Sequence, residues 1–276
     1  MTPLVTISIP TFNSAPFLER CLKAVRNQTY KNIEVNVVDS NSRDGTVEIA
    51  KRFGAKVMNY PGALLGSRYE GLKAANGEYI LLLDSDQILD ITCVERAVKQ
   101  IQSRDLDMLV LEEDVYRNDN LIEKLFHYDR KLIHTVKDFD PYTSVMLPRF
   151  YKVDLLKKAF RNIPSNLYKT VGGPDHAIIY FEVWTISQKV DVLPNAVKHI
   201  EPNSLGAMWR KFYRWGYTSV SARDNKYNDL LNNKERFRKG LFKKGLWKES
   251  MASILLLLIK GVPYKIGYFA GKFKNI

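Results

Sequence analysis

Short apolar runs and stretches with helical apolar spacing alternate along the first third of the chain. Four continuous apolar runs, rich in β-branched residues and leucine, predict buried strands at 4–9, 33–38, 56–60 and 79–83. Between these runs, apolar residues recur every three or four positions, which predicts helices. Strands and helices that alternate in this way indicate βαβ units, so we expect an α/β fold with a mostly parallel sheet flanked by helices.

The second half of the chain has a less regular pattern. Apolar runs predict strands at 107–111, 145–151 and 189–200, and helical spacing predicts helices at 119–137, 175–186, 205–223 and 228–239. No segment rich in Gly, Ser or Pro separates independent domains in this reading. The best candidate for a boundary is therefore a change in charge near residue 203.

Charge is distributed unevenly between the two sides of that boundary. Residues 1–202 contain 26 basic and 26 acidic residues, whereas the last 74 contain 16 and 4, so they carry the whole net charge of +12. We predict a main domain over 1–203 and a basic helical region over 204–276. A basic region predicts an anionic partner such as nucleic acid, a membrane surface or a phosphate-bearing substrate, although a solvated basic face has the same composition.

Composition excludes several classes of protein. Hydrophobic residues make up 45% of the chain, which is enough for a sizeable core and unlike collagen-like or low-complexity sequences. Two cysteines, Cys21 and Cys93, cannot form a disulfide framework or a four-cysteine zinc site, which fits a reducing intracellular setting. The first residues show no basic segment followed by an apolar stretch, so we expect no signal peptide.

Polar side chains follow several of the predicted strands at their carboxyl ends, where α/β sheets bind ligands. Thr11, Asn13 and Asp39 follow the first two strands, and Asp84-Ser85-Asp86 follows the fourth. Two carboxylates spaced i, i+2 can bind Mg²⁺ or Mn²⁺ together with a diphosphate, and the metal then stabilises charge on the departing phosphate. The alternative is a helix N-cap beside a loop acid.

With these positions in place, the chain resembles the inverting glycosyltransferases of family 2, which have the GT-A fold. The matching motifs are Ile9-Pro10-Thr11-Phe12-Asn13, Val37-Val38-Asp39-Ser40-Asn41-Ser42-Arg43-Asp44-Gly45-Thr46, Gly66-Ser67-Arg68-Tyr69-Glu70-Gly71 and Leu83-Asp84-Ser85-Asp86. Their order and spacing agree with the family, strongly over 4–90 and more thinly over 170–217. The chain resembles in particular the members that glycosylate dolichyl or polyprenyl phosphates or membrane glycolipids.

The resemblance implies a site for a nucleotide sugar and a metal ion. The residues that match the family's nucleotide site are Pro10, Thr11, Asn13, Asp39, Arg68, Asp84 and Ser85. In the family, the acid matching Asp39 binds the nucleobase and the segment around Arg68 lies near the diphosphate. The resemblance further implies that Asp84 faces the ribose and the metal, and that Asp86 binds Mn²⁺ or Mg²⁺ directly.

Simpler structural roles remain open for some of these residues. Asp39 can be a turn residue at the end of a strand, and Asn13 can be only the N-cap of the next helix. Arg68 can pair with Glu70 or with Asp39 instead of a ligand.

Two residues of the second half extend the resemblance. Asp175, in Gly172-Gly173-Pro174-Asp175-His176, stands where the family places its general base, although Pro174 replaces the usual glutamate. Asp175 can also only cap a helix, and it would orient substrate if the acceptor were an already ionised lipid phosphate. His199 follows a predicted strand and is either a structural histidine or a third metal ligand.

The predicted helix over 205–223 carries basic and aromatic residues. Arg210, Arg214 and Tyr217 share one helix face, which predicts contacts of Arg210 and Arg214 with a diphosphate or acceptor. Trp215 belongs to a segment that resembles a motif of processive members, but Lys211 replaces its glutamine, so processivity is not inferred. A basic amphipathic helix on a membrane surface is the alternative.

The C-terminal apolar run over 251–259 is only nine residues long before Lys260. A spanning helix needs about 20 residues, so we expect an interfacial or re-entrant anchor. Lysines and aromatic residues around it suit anionic headgroups. The alternative is an ordinary core helix or a subunit interface, and a homo-oligomer stays open.

These observations lead to one functional hypothesis and two alternatives. We expect a metal-dependent inverting glycosyltransferase at the cytoplasmic membrane face, with GDP-mannose as first and a UDP-sugar as second candidate donor. The expected acceptor is a lipid or a lipid phosphate, and no nucleic acid partner is expected. The alternatives are a non-enzymatic nucleic-acid-binding protein that uses the basic aromatic tail, and a nucleotidyltransferase.

Overall fold

A single eight-stranded sheet forms the centre of the computed structural model, which describes residues 2–236 and 240–274. The strands are β1 (Val5–Thr11), β2 (Ile33–Asp39), β3 (Lys56–Asn59), β4 (Tyr79–Leu82), β5 (Gln87–Leu89), β6 (Met108–Val115), β7 (Phe150–Lys152) and β8 (Val190–His199). Their order across the sheet is β3-β2-β1-β4-β7-β6-β8-β5. The expected α/β fold is confirmed.

The sheet is mixed, which refines the expectation of a mostly parallel one. β1 to β4 pair in parallel, as do β6 and β8, whereas β4/β7, β6/β7 and β5/β8 are antiparallel. A parallel neighbour needs a crossover of a dozen or more residues. The connection from Leu82 to Gln87 is too short for that, so β5 crosses to the far edge of the sheet and pairs with β8.

Helices cover both faces of the sheet and form a third layer at one end. They are α1 (Ala15–Arg26), α2 (Thr46–Arg52), α3 (Leu64–Lys73), α4 (Cys93–Ser103), α5 (Leu121–Val136), α6 (Val153–Arg161), α7 (Asp175–Trp184), α8 (Leu205–Tyr217), α9 (Val220–Arg223), α10 (Asn228–Lys234) and α11 (Trp247–Lys274). One apolar core packs α1 and α4 against the sheet, and a second packs α3, α6 and α7. A third joins α5, α8 and α11.

Several elements differ from the sequence-based predictions. β5, α4 and α6 were not predicted, and the helix predicted over 205–223 divides into α8 and α9 at Thr218 and Ser219, whose hydroxyls turn back to bond the carbonyls of Arg214 and Gly216. The helix predicted over 228–239 ends at Lys234, and its positions 237–239 lie outside the described residues. Cys21 and Cys93 are free and buried.

α11 is one continuous helix of 28 residues, so the nine-residue apolar run is only its middle. By length and composition it could cross a membrane, and 22% of its most apolar window is buried. Lys260 does not interrupt it, because its ammonium faces the protein, 4.4 Å from the ring centre of Phe126 and 5.4 Å from that of Phe212. Asp129 lies 3.8 Å from the same ammonium.

α8 and α11 cross so closely that their backbones touch. A Cβ added at Gly216 would lie 1.9 Å from the carbonyl oxygen of Tyr264, and one at Gly267 would lie 2.0 Å from that of Tyr213. Only glycine permits this approach, so the crossing is set by these two residues. The contact fixes the C-terminal helix to the rest of the fold.

This crossing predicts opposite effects for two glycine substitutions on α11. We expect Gly267→Ala to lower the free energy of unfolding by about 1–3 kcal/mol, because the added methyl group collides with backbone. Gly261→Ala is the matched control: nothing lies within 4 Å of its added Cβ, and alanine favours a helix by up to about 1 kcal/mol. Urea denaturation followed by circular dichroism measures both. Equal losses at the two positions would contradict the close crossing.

Candidate active site

The carboxyl ends of β1 and β2 bring Thr11 and Asp39 together. The two residues are register partners in the parallel pair, and the Thr11 hydroxyl donates to Asp39 at 2.7 Å. The backbone N–H of Ser42 donates to the other carboxylate oxygen at 2.8 Å, and its hydroxyl adds a third bond at 2.6 Å. Asp39 therefore has the turn role that was its structural alternative. Three hydrogen bonds also hold its carboxylate in place at the position predicted for the nucleotide.

Loops after β1 and β2 are bonded to each other beside Asp39. Asn13 adopts a left-handed backbone with φ 48°, and its side-chain oxygen accepts the Arg43 N–H at 3.0 Å. Ser14, not Asn13, precedes α1, so the N-cap alternative for Asn13 is wrong. Asp44 accepts the Ala15 N–H at 3.1 Å and so ties the start of α1 to the second loop. Pro10, opposite Val38 in the sheet, leads into this wall.

Arg68 is the central cation of the site and is completely buried. Its Nη2 donates to Asp84 at 2.5 Å, and its Nε donates to Asp175 at the start of α7. Arg68 is thus paired with Asp84 and Asp175, and not with Glu70 or Asp39 as the alternative predictions had it. Its remaining nitrogen, Nη1, has no hydrogen-bond partner within the described residues. Arg68 thus joins two predicted site residues that are 91 positions apart in sequence and retains one free donor.

Arg149 is a second cation beside Asp84, at a position for which the sequence alone predicts no role. It immediately precedes β7 and donates to Asp84 at 2.7 Å. Burial alone raises the pKa of Asp84, but Arg149 and Arg68 outweigh burial and hold this pKa well below its usual value. Arg149 also contacts His176 Nε2, and burial together with Arg149 keeps the pKa of His176 far below its usual range. His176 is therefore a neutral acceptor.

Asp175 has a different electrostatic environment from Asp84. Burial raises its pKa above the usual value, and Arg68 offsets this only in part. The side chain is almost fully buried at the first residue of α7. A carboxylate whose pKa is raised is a stronger base than an exposed aspartate. The alternative of a helix cap is wrong, because Pro174 is the N-cap of α7 and the Asp175 carboxylate bonds Arg68 instead. The base role stays a prediction.

Asp86 and His199 meet because β5 pairs antiparallel with the end of β8. Gln87 is opposite His199 in this register, and the carbonyl oxygen of Asp86 accepts the Ile200 N–H at 2.8 Å. His199 Nε2 then lies 3.3 Å from Asp86 Oδ1, and its Nδ1 lies 3.0 Å from Glu201. Burial lowers the pKa of His199, but Asp86 and Glu201 outweigh it and raise the pKa to about 9.

Of the three predicted metal ligands, Asp86 and His199 are not taken up by arginines, but His199 must lose the proton that its raised pKa retains before it can bind a metal ion. A carboxylate oxygen and an imidazole nitrogen face each other, and Glu201 behind His199 is the arrangement that orients ligating histidines. Both oxygens of Asp84 are bonded to arginines. No group of three His, Cys, Asp or Glu side chains that could hold a metal occurs within residues 2–236 and 240–274. Further ligands must come from substrate or water.

α8 contributes a lysine to the site rather than an arginine. Lys211 Nζ lies 3.9 Å from Asp86 Oδ2 and 5.4 Å from the ring centre of Trp215. Trp215 packs against Gly173, where an added Cβ would lie 2.6 Å from its ring, so it borders the segment that leads to Asp175. Arg210 and Arg214 are exposed and form no ion pair within the described part of the chain. Their predicted contact with a diphosphate or acceptor stays a prediction.

Buried ions connect the two halves of the site. Glu113 on β6 contacts Arg149 and Arg130, and Arg130 of α5 continues to Glu201. Burial raises the pKa of Glu201, but His199 and Arg130 outweigh it and hold it well below the usual value. Of these residues only Glu201 had a sequence signal, because it is two positions after His199 at the end of a strand. Ser85, by contrast, was predicted and bonds the hydroxyl of Ser14 at 3.0 Å.

The mixed α/β sheet flanked by helices resembles the fold of GT-A glycosyltransferases. The profile of glycosyl transferase family 2 matches residues 6–158, and the chain belongs to that family. The fold agrees: S. aureus TarS 1-349 in complex with UDP-GlcNAc aligns with a TM-score of 0.59 over 96% of this chain and 89% of that one, at 16% identity. The mannosyltransferase PcManGT from Pyrobaculum calidifontis, in complex with GDP-Man and Mn²⁺, gives 0.60 over 95% and 76%, at 17% identity.

The curated relatives are longer proteins, and the chain matches only part of each. Glycosyltransferase GlyA of Streptococcus pneumoniae serotype 4 is 26% identical over 247 residues, which cover 83% of this chain and 35% of that protein. Glycosyltransferase GlyG of the same strain is 31% identical over 117 residues, which cover 40% and 39%. The chain therefore spans less than half the length of these relatives.

The ion network predicts a pH-dependent effect of removing Arg130. Folded Glu113 and Glu201 have lowered pKa values, so they stabilise the fold above the unfolded pKa near 4.5, and this stabilisation is lost as the pH falls through the lowered values. Arg130→Met removes the cation that Glu113 and Glu201 share and leaves them only Arg149 and His199, so we expect a loss of about 1–3 kcal/mol at pH 7. The loss should shrink towards pH 5 as the freed carboxylates protonate.

The neighbouring position supplies a control for this experiment. Lys131 pairs with Glu249 at 2.6 Å, but its side chain is 53% exposed, so Lys131→Met should cost much less stability than Arg130→Met at every pH. Thermal unfolding of both variants at pH 5, 6 and 7 measures the two effects. A loss in Arg130→Met that does not change with pH would contradict the role assigned to the two glutamates.

Proposed function

We propose that the protein transfers a sugar, with inversion, from a nucleoside diphosphate donor to an acceptor, and that it uses Mn²⁺ or Mg²⁺. The observation that carries this proposal is Arg68, which holds the candidate base Asp175 and the strand-end acid Asp84 on one buried guanidinium. Family membership supports the reaction class, and donor, metal and acceptor are inferred from the chemistry of the site.

The nucleotide is proposed to lie along the ends of β1 and β2. Asp39 is held by Thr11 and Ser42 and is oriented to accept an N–H of the base, the contact that a uracil imide or a guanine can donate. Pro10 and Asn13 form the wall beside it, and Ser85 lies further along, towards the ribose. Hydrogen bonds between the two loops hold this wall together.

The diphosphate is proposed to lie between Arg68 and the pair of Asp86 and His199. Asp86 and His199 would hold the metal ion, which supplies positive charge against the departing diphosphate. Arg68 Nη1 is a buried donor without a partner and suits a phosphate oxygen. Lys211, 3.9 Å from Asp86, adds charge from α8. Asp84 is proposed to act mainly by fixing Arg68 and Arg149, since both of its oxygens bond them.

Asp175 is proposed as the general base for an acceptor hydroxyl. Inversion requires attack on the side of the sugar opposite the diphosphate, and a carboxylate there removes the proton as the bond forms. Its raised pKa favours proton uptake. Arg68 restrains the carboxylate and favours its charged form, so the proton taken from the acceptor passes to water after transfer. Trp215, packed on Gly173, borders the acceptor side.

GDP-mannose remains the first proposed donor and a UDP-sugar the second. Support comes only from similar folds, whose complexes contain GDP-Man with Mn²⁺ in one case and UDP-GlcNAc in another. The proposed acceptor is a lipid or lipid phosphate at the cytoplasmic face of a membrane, because the chain carries an apolar C-terminal helix and a basic C-terminal region. In this scheme 1–203 is the catalytic domain and 204–276 contacts acceptor and membrane.

Thermal stability with nucleotides tests the donor and metal together. We expect one of GDP and UDP, at about 100 times its dissociation constant and with Mn²⁺, to stabilise the protein by about 2.7 kcal/mol, a rise on the order of 5–10 °C. Asp86→Asn should abolish the Mn²⁺-dependent part of the rise. Asp105→Asn, which removes a carboxylate that is 76% exposed, should leave it unchanged. A full Mn²⁺-dependent rise in Asp86→Asn would refute the metal assignment.

The base role of Asp175 has a kinetic test. We expect Asp175→Asn to lower the transfer rate to a hydroxyl acceptor by about 10²–10⁴-fold, with donor KM nearly unchanged. Asp154→Asn is the control, because Asp154 is an exposed acid in the first turn of another helix. A retained rate in a folded Asp175→Asn protein would exclude the base role and favour an acceptor that is already ionised, such as a phosphate.

A further inference from the structure

One side of α11 carries a continuous stripe of large, exposed apolar side chains. Between 45% and 64% of each is exposed, and the stripe consists of Met251, Leu255, Leu258, Val262, Ile266 and Phe269. Trp247 extends it at one end and Phe273 at the other, with 67% and 75% exposed. At 1.5 Å per residue the stripe is about 39 Å long. A patch of this size marks a docking surface.

The stripe follows one side of α11 along its length. The pattern of Met251, Leu255 and Leu258 repeats after 11 residues as Val262, Ile266 and Phe269. A period of 11 residues, about 3.67 per turn, drifts by only about 20° per repeat on a helix of 3.6 residues per turn, so the apolar side chains stay on the same side.

The opposite side of α11 is attached to the protein along its whole length. Near its start Lys131 bonds Glu249 at 2.6 Å, and Ser253 donates to Asp129 at 2.8 Å. Near its end, an added Cβ at Gly271 would lie 2.8 Å from the carbonyl oxygen of Tyr217. A spanning α11 would draw these charged neighbours on α5 into the bilayer, where each costs about 2.5–3.5 kcal/mol at the centre. The helix can therefore meet lipid only from the side.

Charge favours lipid over a second copy of the chain. Lys248 and Lys272 are exposed on α11 and lie at the margins of the stripe when 100° is allowed per residue. The last 74 residues carry the whole net charge of +12, so two such faces would repel each other. Anionic headgroups attract the same lysines, at about 1 kcal/mol each, while the alkyl stems reach along the apolar face.

We propose that α11 lies in the plane of an anionic lipid surface, with the stripe inserted at the boundary between headgroups and acyl chains and with no segment of α11 crossing the bilayer. This deepens the proposed function and rests on it in one step, the identity of the acceptor. α8 packs on α11 and carries Lys211 to Asp86, so the sugar-transfer site stands beside the headgroups. A lipid acceptor then presents its headgroup to the site without leaving the membrane.

Sedimentation with vesicles tests the surface. The full chain should bind vesicles of phosphatidylcholine with 30% phosphatidylglycerol, and Leu258→Glu or Phe269→Glu should weaken binding about tenfold or more, since each replaces an exposed apolar side chain that would insert into the lipid. Ile91→Glu is the matched control, because Ile91 is 56% exposed but lies outside α11. Equal binding by Leu258→Glu and Ile91→Glu would overturn the proposal.

The depth of α11 in the bilayer distinguishes a helix that lies on the surface from one that spans the membrane. Cysteines placed at Met251, Val262 and Phe273 can each carry an environment-sensitive fluorophore, since Cys21 and Cys93 are buried. Lipid-borne quenchers should report the same shallow depth at all three positions. A deep Val262 between two shallow ends would show a spanning helix and refute the proposal. A dimer without vesicles that Leu258→Glu dissociates would refute it in favour of a second copy.

The outcome does not depend on the transfer reaction. Leu258→Glu should keep the nucleotide- and Mn²⁺-dependent rise in thermal stability measured without vesicles, because it touches no residue of the site. If that rise is absent from the unsubstituted protein while vesicle binding is normal, the proposed function fails and the lipid surface stands. If the rise is present and the vesicle tests fail, only the lipid surface is wrong.

Discussion

A single buried guanidinium determines how the site is assembled. Arg68 is inaccessible to solvent and bonds Asp84 from the fourth strand and Asp175 from α7, which lie on opposite sides of the chain's midpoint. A buried arginine without both partners would be costly, so the two halves of the protein must close around it. The same closure sets Asp84 and Asp175 apart chemically: the arginines keep the first charged, while burial makes the second more basic.

Charge then alternates from this centre to the other end of the site. From Asp84 the contacts pass through Arg149 and Glu113 to Arg130, and from there through Glu201 to His199 and Asp86. Each ion is partly or fully buried between opposite charges, which favours one arrangement of strands β6, β7 and β8 over alternatives that would leave a charge unpaired. In the proposed reaction such a network would hold the charged groups in place before substrate binds, which is the condition for electrostatic stabilisation of a departing diphosphate.

The sequence predicted those parts of the fold that depend on neighbouring residues or on consecutive strands. Asp39 and Thr11 stand at the ends of consecutive strands, so strand order alone brings them together. Arg149 could not be found in this way, because its contact with Asp84 depends on a strand that enters the sheet 65 residues later. Lys260 led to a wrong prediction, the end of the apolar segment, for a related reason. In sequence it interrupts an apolar run, and only the packing of α5 and α8 shows the aromatic rings and the carboxylate that receive it.

The attachment of α11 has a consequence for how the protein can be separated from lipid. Ala252 and Leu256 share a core with Met208 and Phe212 of α8 and with Leu125 and Phe126 of α5. Cutting the chain before Trp247 would strip this core open and bare the inner side of α8, the same helix that delivers Lys211 to the site. A soluble form is therefore better sought by replacing side chains on the outer side of α11 than by shortening the chain. The outer side is the proposed lipid contact, whereas the inner side is part of the protein's core.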